Sequence, residues 1–80
     1  MSEIKVYTTN WCPDCHAAKR FMSEKEIVFE EINIENDSAA LKLVQEVNNG
    51  KNKVPTFEVD GKFFSLSPFN KNKLVEKLGS

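Results

Sequence analysis

Two cysteines separated by two residues, Cys12-Pro13-Asp14-Cys15, stand where a short strand pattern gives way to a helical one. They constrain this chain more than anything else in it, being the only cysteines among its 80 residues. Ile4-Lys5-Val6-Tyr7-Thr8 alternates and is rich in β-formers, while Ala17, Ala18, Phe21 and Met22 recur at helical spacing. In the first turn of a helix, residues i and i+3 share a face with Cβ atoms about 5–6 Å apart. A small adjustment brings such a pair within the Cα separation of roughly 4.4–6.8 Å that a disulfide accepts. A helix N-terminus also presents unpaired N–H groups and the positive end of the dipole. Cys12 is therefore expected to ionise more readily than Cys15, which lies one turn inside. Pro13 suits the first helical position, where its missing N–H costs nothing. The stretch implies one exposed, ionisable sulfur and one resolving sulfur, the parts of a dithiol redox centre.

Bulk properties narrow the setting. A chain of 80 residues is expected to form one domain whose core gives marginal stability. Apolar residues make up 40% and the net charge is −1, which gives no electrostatic reason to expect nucleic acid or an anionic membrane as partner. Met1-Ser2-Glu3 does not open a basic start and a long apolar run, and no stretch approaches a membrane span. The expected location is the cytoplasm, where a CxxC is catalytic or metal-binding rather than structural.

Taken in order, the pattern predicts a strand at Ile4–Thr8, a helix from Pro13 to Lys25 with Ala17, Ala18, Phe21 and Met22 inward, and a second strand from Ile27 to Ile34. Ile27-Val28-Phe29 is apolar on both faces, which suggests an interior strand. Asn36-Asp37-Ser38 offers a cap for a helix carrying Ala40, Leu41, Val44 and Val47, stopped at Asn48-Asn49-Gly50. Two β-rich runs, Val54–Val59 and Lys62–Leu66, flank Asp60-Gly61, a strong hairpin signal. Asn70 to Leu78 closes the chain as a helix with Leu74, Val75 and Leu78 apolar. The order β-α-β-α-β-β-α contains a parallel crossover unit and an antiparallel hairpin, hence an α/β fold with a mixed four-stranded sheet flanked by three helices.

These elements, with CxxC opening the first helix and Val54-Pro55 before an Asp-Gly hairpin, resemble the thioredoxin fold in its minimal glutaredoxin form. The resemblance implies a cis proline at Pro55, packed against the cysteines, and a backbone at Val54 that faces Cys12 and pairs with an extended substrate segment. It implies a thiol–disulfide oxidoreductase: Cys12 attacks a substrate disulfide, Cys15 resolves the mixed disulfide, and an external reductant resets the pair with no bound cofactor. Trp11 and Pro13 would flank the substrate, with Trp11 as an exposed apolar lip. Asp14, where glutaredoxins often carry an aromatic residue, would oppose ionisation of Cys12 and tune the redox poise. Two reductants stay open. Glutathione-using members carry a basic residue before the first cysteine and a Gly-Gly-acid stretch after the hairpin. Here Thr8-Thr9-Asn10 and Ser65-Leu66-Ser67-Pro68-Phe69 occupy those places. The run Tyr7-Thr8, Asn10, Cys12-x-x-Cys15-His16-Ala17-x-Lys19-Arg20-x-Met22 is similar to NrdH-type redoxins, which serve ribonucleotide reductase and are recharged by thioredoxin reductase and NADPH. Disulfide-containing proteins and a reductase are thus the implied partners, and a monomer the implied state.

The same residues admit plainer readings. Cys12, Cys15 and His16 fall one short of the four ligands zinc prefers, unless two chains share a site. Cys12-x-x-Cys15-His16 also matches the attachment pattern of c-type haem, with Met22 or Met1 as distal ligand, and an iron–sulfur cluster held by Cys12 with glutathione is a third alternative. No metal is the expectation. His16 is expected on the outer side of its helix, Lys51 and Lys53 as solvated loop charges, and Phe69 as core or edge packing or an extension of the docking surface.

Overall fold

The computed structural model describes residues 4–66 and 70–79. Its elements are β1 (Ile4–Thr8), α1 (Pro13–Glu24), β2 (Glu30–Asn33), α2 (Ser38–Val47), β3 (Thr56–Val59), β4 (Lys62–Ser65) and α3 (Lys71–Gly79). The sheet order is β2-β1-β3-β4. β1 runs parallel to β2, with Lys5 opposite Glu30, and antiparallel to β3, with Val6 opposite Phe57. The mixed four-stranded α/β sheet read from the sequence is the one that forms.

Local chemistry explains most boundaries. Asp37 caps α2 by accepting from the Ala40 N–H at 3.0 Å, and Asn70 caps α3 by accepting from the Asn72 and Lys73 N–H groups. At the hairpin, Asp60 and Gly61 both take positive φ (52° and 79°), as a two-residue turn matching strand twist requires. α2 stops where Asn49 and Gly50 turn left-handed.

Two apolar clusters cover the sheet. Val6 and Phe57 pack with Ala18 and Met22 of α1, Leu74 of α3 and Leu66. On the opposite side, Tyr7 packs with Ala40 and Val44 of α2, Ile34 and Val54, and this cluster takes in both cysteines.

Five sequence expectations need correction. Hydrogen-bonded β2 is only Glu30–Asn33 and lies at the sheet edge, not inside it. Ile27 and Phe29 turn towards the core while Val28 is 84% exposed, so the apolar triplet alternates instead of being buried on both sides. Ala17 is exposed and the inner stripe of α1 is Cys15, Ala18 and Met22, at i, i+3 and i+7. Val75 of α3 is exposed for the same reason, Leu74 alone being buried among the described side chains of that helix. Val47, at the last turn of α2, is exposed as well. Ser67-Pro68-Phe69 and the side chain of Leu78 lie outside the described residues.

Candidate active site

Both cysteines are free thiols at the N-terminus of α1. Cys12 is itself the N-cap: its backbone is extended, and its Sγ accepts from the Cys15 N–H at 3.2 Å. A sulfur thereby occupies the place of the usual capping oxygen, with an otherwise unpaired helix N–H pointing at it. Pro13 is at N1 and Asp14 follows in the first turn. On the other side, the Cys12 thiol donates to the Val54 carbonyl at 3.6 Å. The Val54-Pro55 peptide is cis, and both residues are buried against this end of the sheet. The chain therefore brings Cys12, Cys15, Val54 and Pro55 together from two loops 42 positions apart.

Cys12 departs from expectation in one respect. It retains only 4% of its surface, because the Val54 carbonyl and the first turn of α1 enclose the sulfur. Exposure passes instead to its neighbours: Trp11 is 68% exposed and Pro13 is also at the surface, forming a rim beside the sulfur. Cys15 lies deeper, with no exposed surface, and its thiol is pushed up to about 12. Burial is the main cause, followed by the hydrogen bond shared with Cys12; the Thr9 backbone N–H and the Lys19 charge act in the opposite direction.

The glutaredoxin family profile matches residues 4–64, from β1 through the hairpin. The chain belongs to the glutaredoxin family. A glutaredoxin-like 8.6 kDa protein from the rubredoxin operon of Clostridium pasteurianum is 31% identical over 77 residues, covering 92% of this chain and 99% of that one. A glutaredoxin-named protein of Mycobacterium tuberculosis is 38% identical over 53 residues, 66% of this chain, and the chain spans 63% of that relative's length. Among solved structures, Escherichia coli NrdH-redoxin is described as a glutaredoxin-like protein with a thioredoxin-like activity profile. It superposes with a TM-score of 0.77 at 28% identity, over 95% of this chain and 93% of that one. Its fold is likewise that of the glutaredoxin-like proteins of the thioredoxin superfamily.

Around this glutaredoxin dithiol lies a set of contacts that meet at Glu31, a residue not singled out from the sequence. Thr8 donates to Glu31 Oε2 at 2.8 Å, and the same oxygen receives the Lys19 ammonium at 2.7 Å. These contacts hold the Glu31 carboxyl below the usual carboxylate range, the Lys19 bond first, with burial opposing and Thr8 assisting. Thr9 is buried and its hydroxyl has no hydrogen-bond partner. Asn10 ties the loop before Cys12 to the one after β2, its N–H donating to Glu35 and its side chain accepting from Asn33. The exposed His16 ring lies 3.2 Å from the Asn10 carbonyl, on the outer side as expected. Among the described residues no three His, Cys, Asp or Glu side chains are placed to hold a metal ion. Lys51 and Lys53 are solvent-exposed, and no helix among the described residues is long and apolar enough to cross a membrane.

Proposed function

We propose that this glutaredoxin is a cytoplasmic, monomeric dithiol electron carrier that reduces protein or low-molecular-weight disulfides. The observation carrying the reading is the asymmetry of the two sulfurs: the Cys15 N–H is aimed at Cys12, whereas Cys15 is sealed in the core. Cys12, as thiolate, attacks one sulfur of the substrate disulfide. A Cys12–substrate disulfide forms and the other substrate sulfur leaves with the electron pair. Cys15 then attacks Cys12, the captured substrate sulfur departs as a thiol, and the Cys12–Cys15 disulfide remains.

Trp11 and Pro13 form the apolar rim against which substrate rests, and Val54 with Pro55 supplies the floor. Because the Val54 carbonyl accepts from the Cys12 thiol, ionisation of Cys12 frees that carbonyl for a substrate N–H. Asp14, in the first turn, opposes negative charge on Cys12 and so sets the redox poise. Replacing it in Asp14→Asn should shift the reduction potential, and an unchanged potential would remove Asp14 from the account.

A protein reductase is the favoured reductant and no cofactor stays bound. Supporting this are the absence of a basic residue in Thr8-Thr9-Asn10, the side chains at Ser65 and Leu66, and the likeness to NrdH-redoxin. The test offers the oxidised protein either thioredoxin reductase with NADPH or glutathione with glutathione reductase and NADPH. Faster recycling by thioredoxin reductase is expected; a preference for glutathione would reverse this assignment.

A further inference from the structure

The resolving sulfur poses a chemical problem that the dithiol reading leaves open. Cys15 must lose its proton to attack Cys12, yet burial holds the thiol at about 12. Lys19 lies four residues on, along the same face of α1. Residues four apart on a helix stand one above the other, and the Lys19 charge is among the influences that ease the proton off Cys15. An unrestrained lysine would carry its ammonium out to water. Here it is anchored: Glu31 on β2 holds the ammonium at 2.7 Å, and fully buried Thr8 holds the same carboxylate oxygen at 2.8 Å. The Lys19 side chain is left 24% exposed.

We propose that Lys19, pinned by Glu31 and Thr8, is a positioning residue that stabilises the Cys15 thiolate in the resolving step. The inference rests on the dithiol reading above. The groups facing Cys15 make the effect conditional on what Cys12 carries. These are Cys12 at the cap and Lys19 on α1, with Asp14 beside Cys15 in the first turn; on β1, Tyr7 belongs to the same core cluster. The Tyr7 hydroxyl is directed to Glu58, 2.9 Å away, and burial together with that bond holds its proton up to about 12, so it is neutral. Behind Lys19 stands Glu31 on β2, with His16 acting on Glu31 from the outer side of α1. From α2 and the Val54 loop come Ala40, Val44 and Val54, none of which titrates.

Two of the influences that keep the proton on Cys15 come from the Cys12 sulfur, through a hydrogen bond and through charge. Once Cys12 is bonded to substrate it carries no charge, and the Thr9 N–H and Lys19 are left to act against burial. Cys15 thus becomes easier to ionise when a captured substrate is waiting. The balance is simple: the Cys12–substrate S–S bond breaks, the Cys12–Cys15 bond forms, and the departing sulfur takes up a proton through solvent in place of the one Cys15 released.

A stoichiometric aromatic disulfide, 5,5′-dithiobis(2-nitrobenzoate), separates the steps. Capture by Cys12 releases one coloured thiolate and resolution by Cys15 releases the second. In Lys19→Met the second phase should slow by about three- to tenfold near neutral pH, with its pH midpoint displaced upward and the first phase little changed. Lys19→Arg should restore the midpoint. Glu31→Gln, which leaves the lysine unanchored, should shift it in the same direction by less, and serves as the test should Lys19→Met not fold. A second-phase midpoint unmoved in Lys19→Met and Glu31→Gln, or equal slowing of both phases, would overturn the role of Lys19. Absence of any second phase in the unaltered protein would instead overturn the dithiol reading.

Discussion

The two apolar clusters on either side of the sheet differ in what they bury. One, around Val6, Ala18, Met22, Phe57 and Leu74, is hydrocarbon apart from a single thioether, and Phe57 stacks on Phe64 at 5.1 Å. The other, around Tyr7, Ala40 and Val44, also encloses Cys12, Cys15 and Val54. The first can be packed for stability alone. The second must keep two thiols, a carbonyl and a phenol in place, and each group carries hydrogen-bond demands that burial makes costly to leave unmet. Stability and chemistry are thus divided between the two faces of one thin sheet.

Substitutions on the two sides should separate these roles. The largest effect belongs to Cys12→Ser, which should reduce turnover to background while the thermal midpoint barely moves; Cys15→Ser should still trap substrate as a mixed disulfide, visible by mass spectrometry. Equal loss of trapping in both variants would erase the distinction between the sulfurs. Phe57→Ala, on the hydrocarbon side, should cost about 3–5 kcal/mol in denaturant unfolding, because a fully buried ring leaves a cavity. A cost below about 1 kcal/mol would mean that this cluster is not the principal source of stability.

Smaller effects probe the borders. Asp37→Ala removes the cap of α2, the wall of the thiol-bearing cluster, and should cost about 1 kcal/mol. For a chain of this size that amounts to a thermal midpoint lower by about 4–8 °C. Glu31 sits where β2 meets α1, and its carboxyl is held below the ordinary range. A depressed carboxylate stabilises above its unfolded value, and the contribution is lost as pH falls through the folded one. The pair with Lys19 is partly exposed, so the effect is under about 1 kcal/mol and weakens with salt. Thermal midpoints of the unaltered protein and Glu31→Gln should therefore differ slightly at neutral pH and converge in acid.

What could be read from the sequence was chemistry confined to a few neighbouring residues. Pro13 at the start of α1, Asp37 at the cap of α2 and Asp60-Gly61 at the turn act on the backbone within a few residues of themselves, so local spacing suffices. The cysteine pair was legible for the same reason, and the cis peptide at Val54-Pro55 through resemblance. The edge position of β2 was not, since Ile27-Val28-Phe29 describes an apolar run without saying which strand lies beyond it. The enclosure of Cys12 depends on a carbonyl 42 positions away. Lys19 and Glu31 meet only because β1 and β2 pair in parallel with Val6 opposite Glu31. The signal for Lys19, four places after Cys15, was present; nothing local marked its anchor.

The central claim is that the capping sulfur reacts and the deeper one waits. Reduced protein treated briefly with less than one equivalent of iodoacetamide at neutral pH, then digested and mapped, measures this directly. The account predicts that the label falls almost wholly on Cys12, with Cys15 unmodified until strongly alkaline pH. Comparable labelling of Cys15 at neutral pH, or no labelling of Cys12, would contradict it.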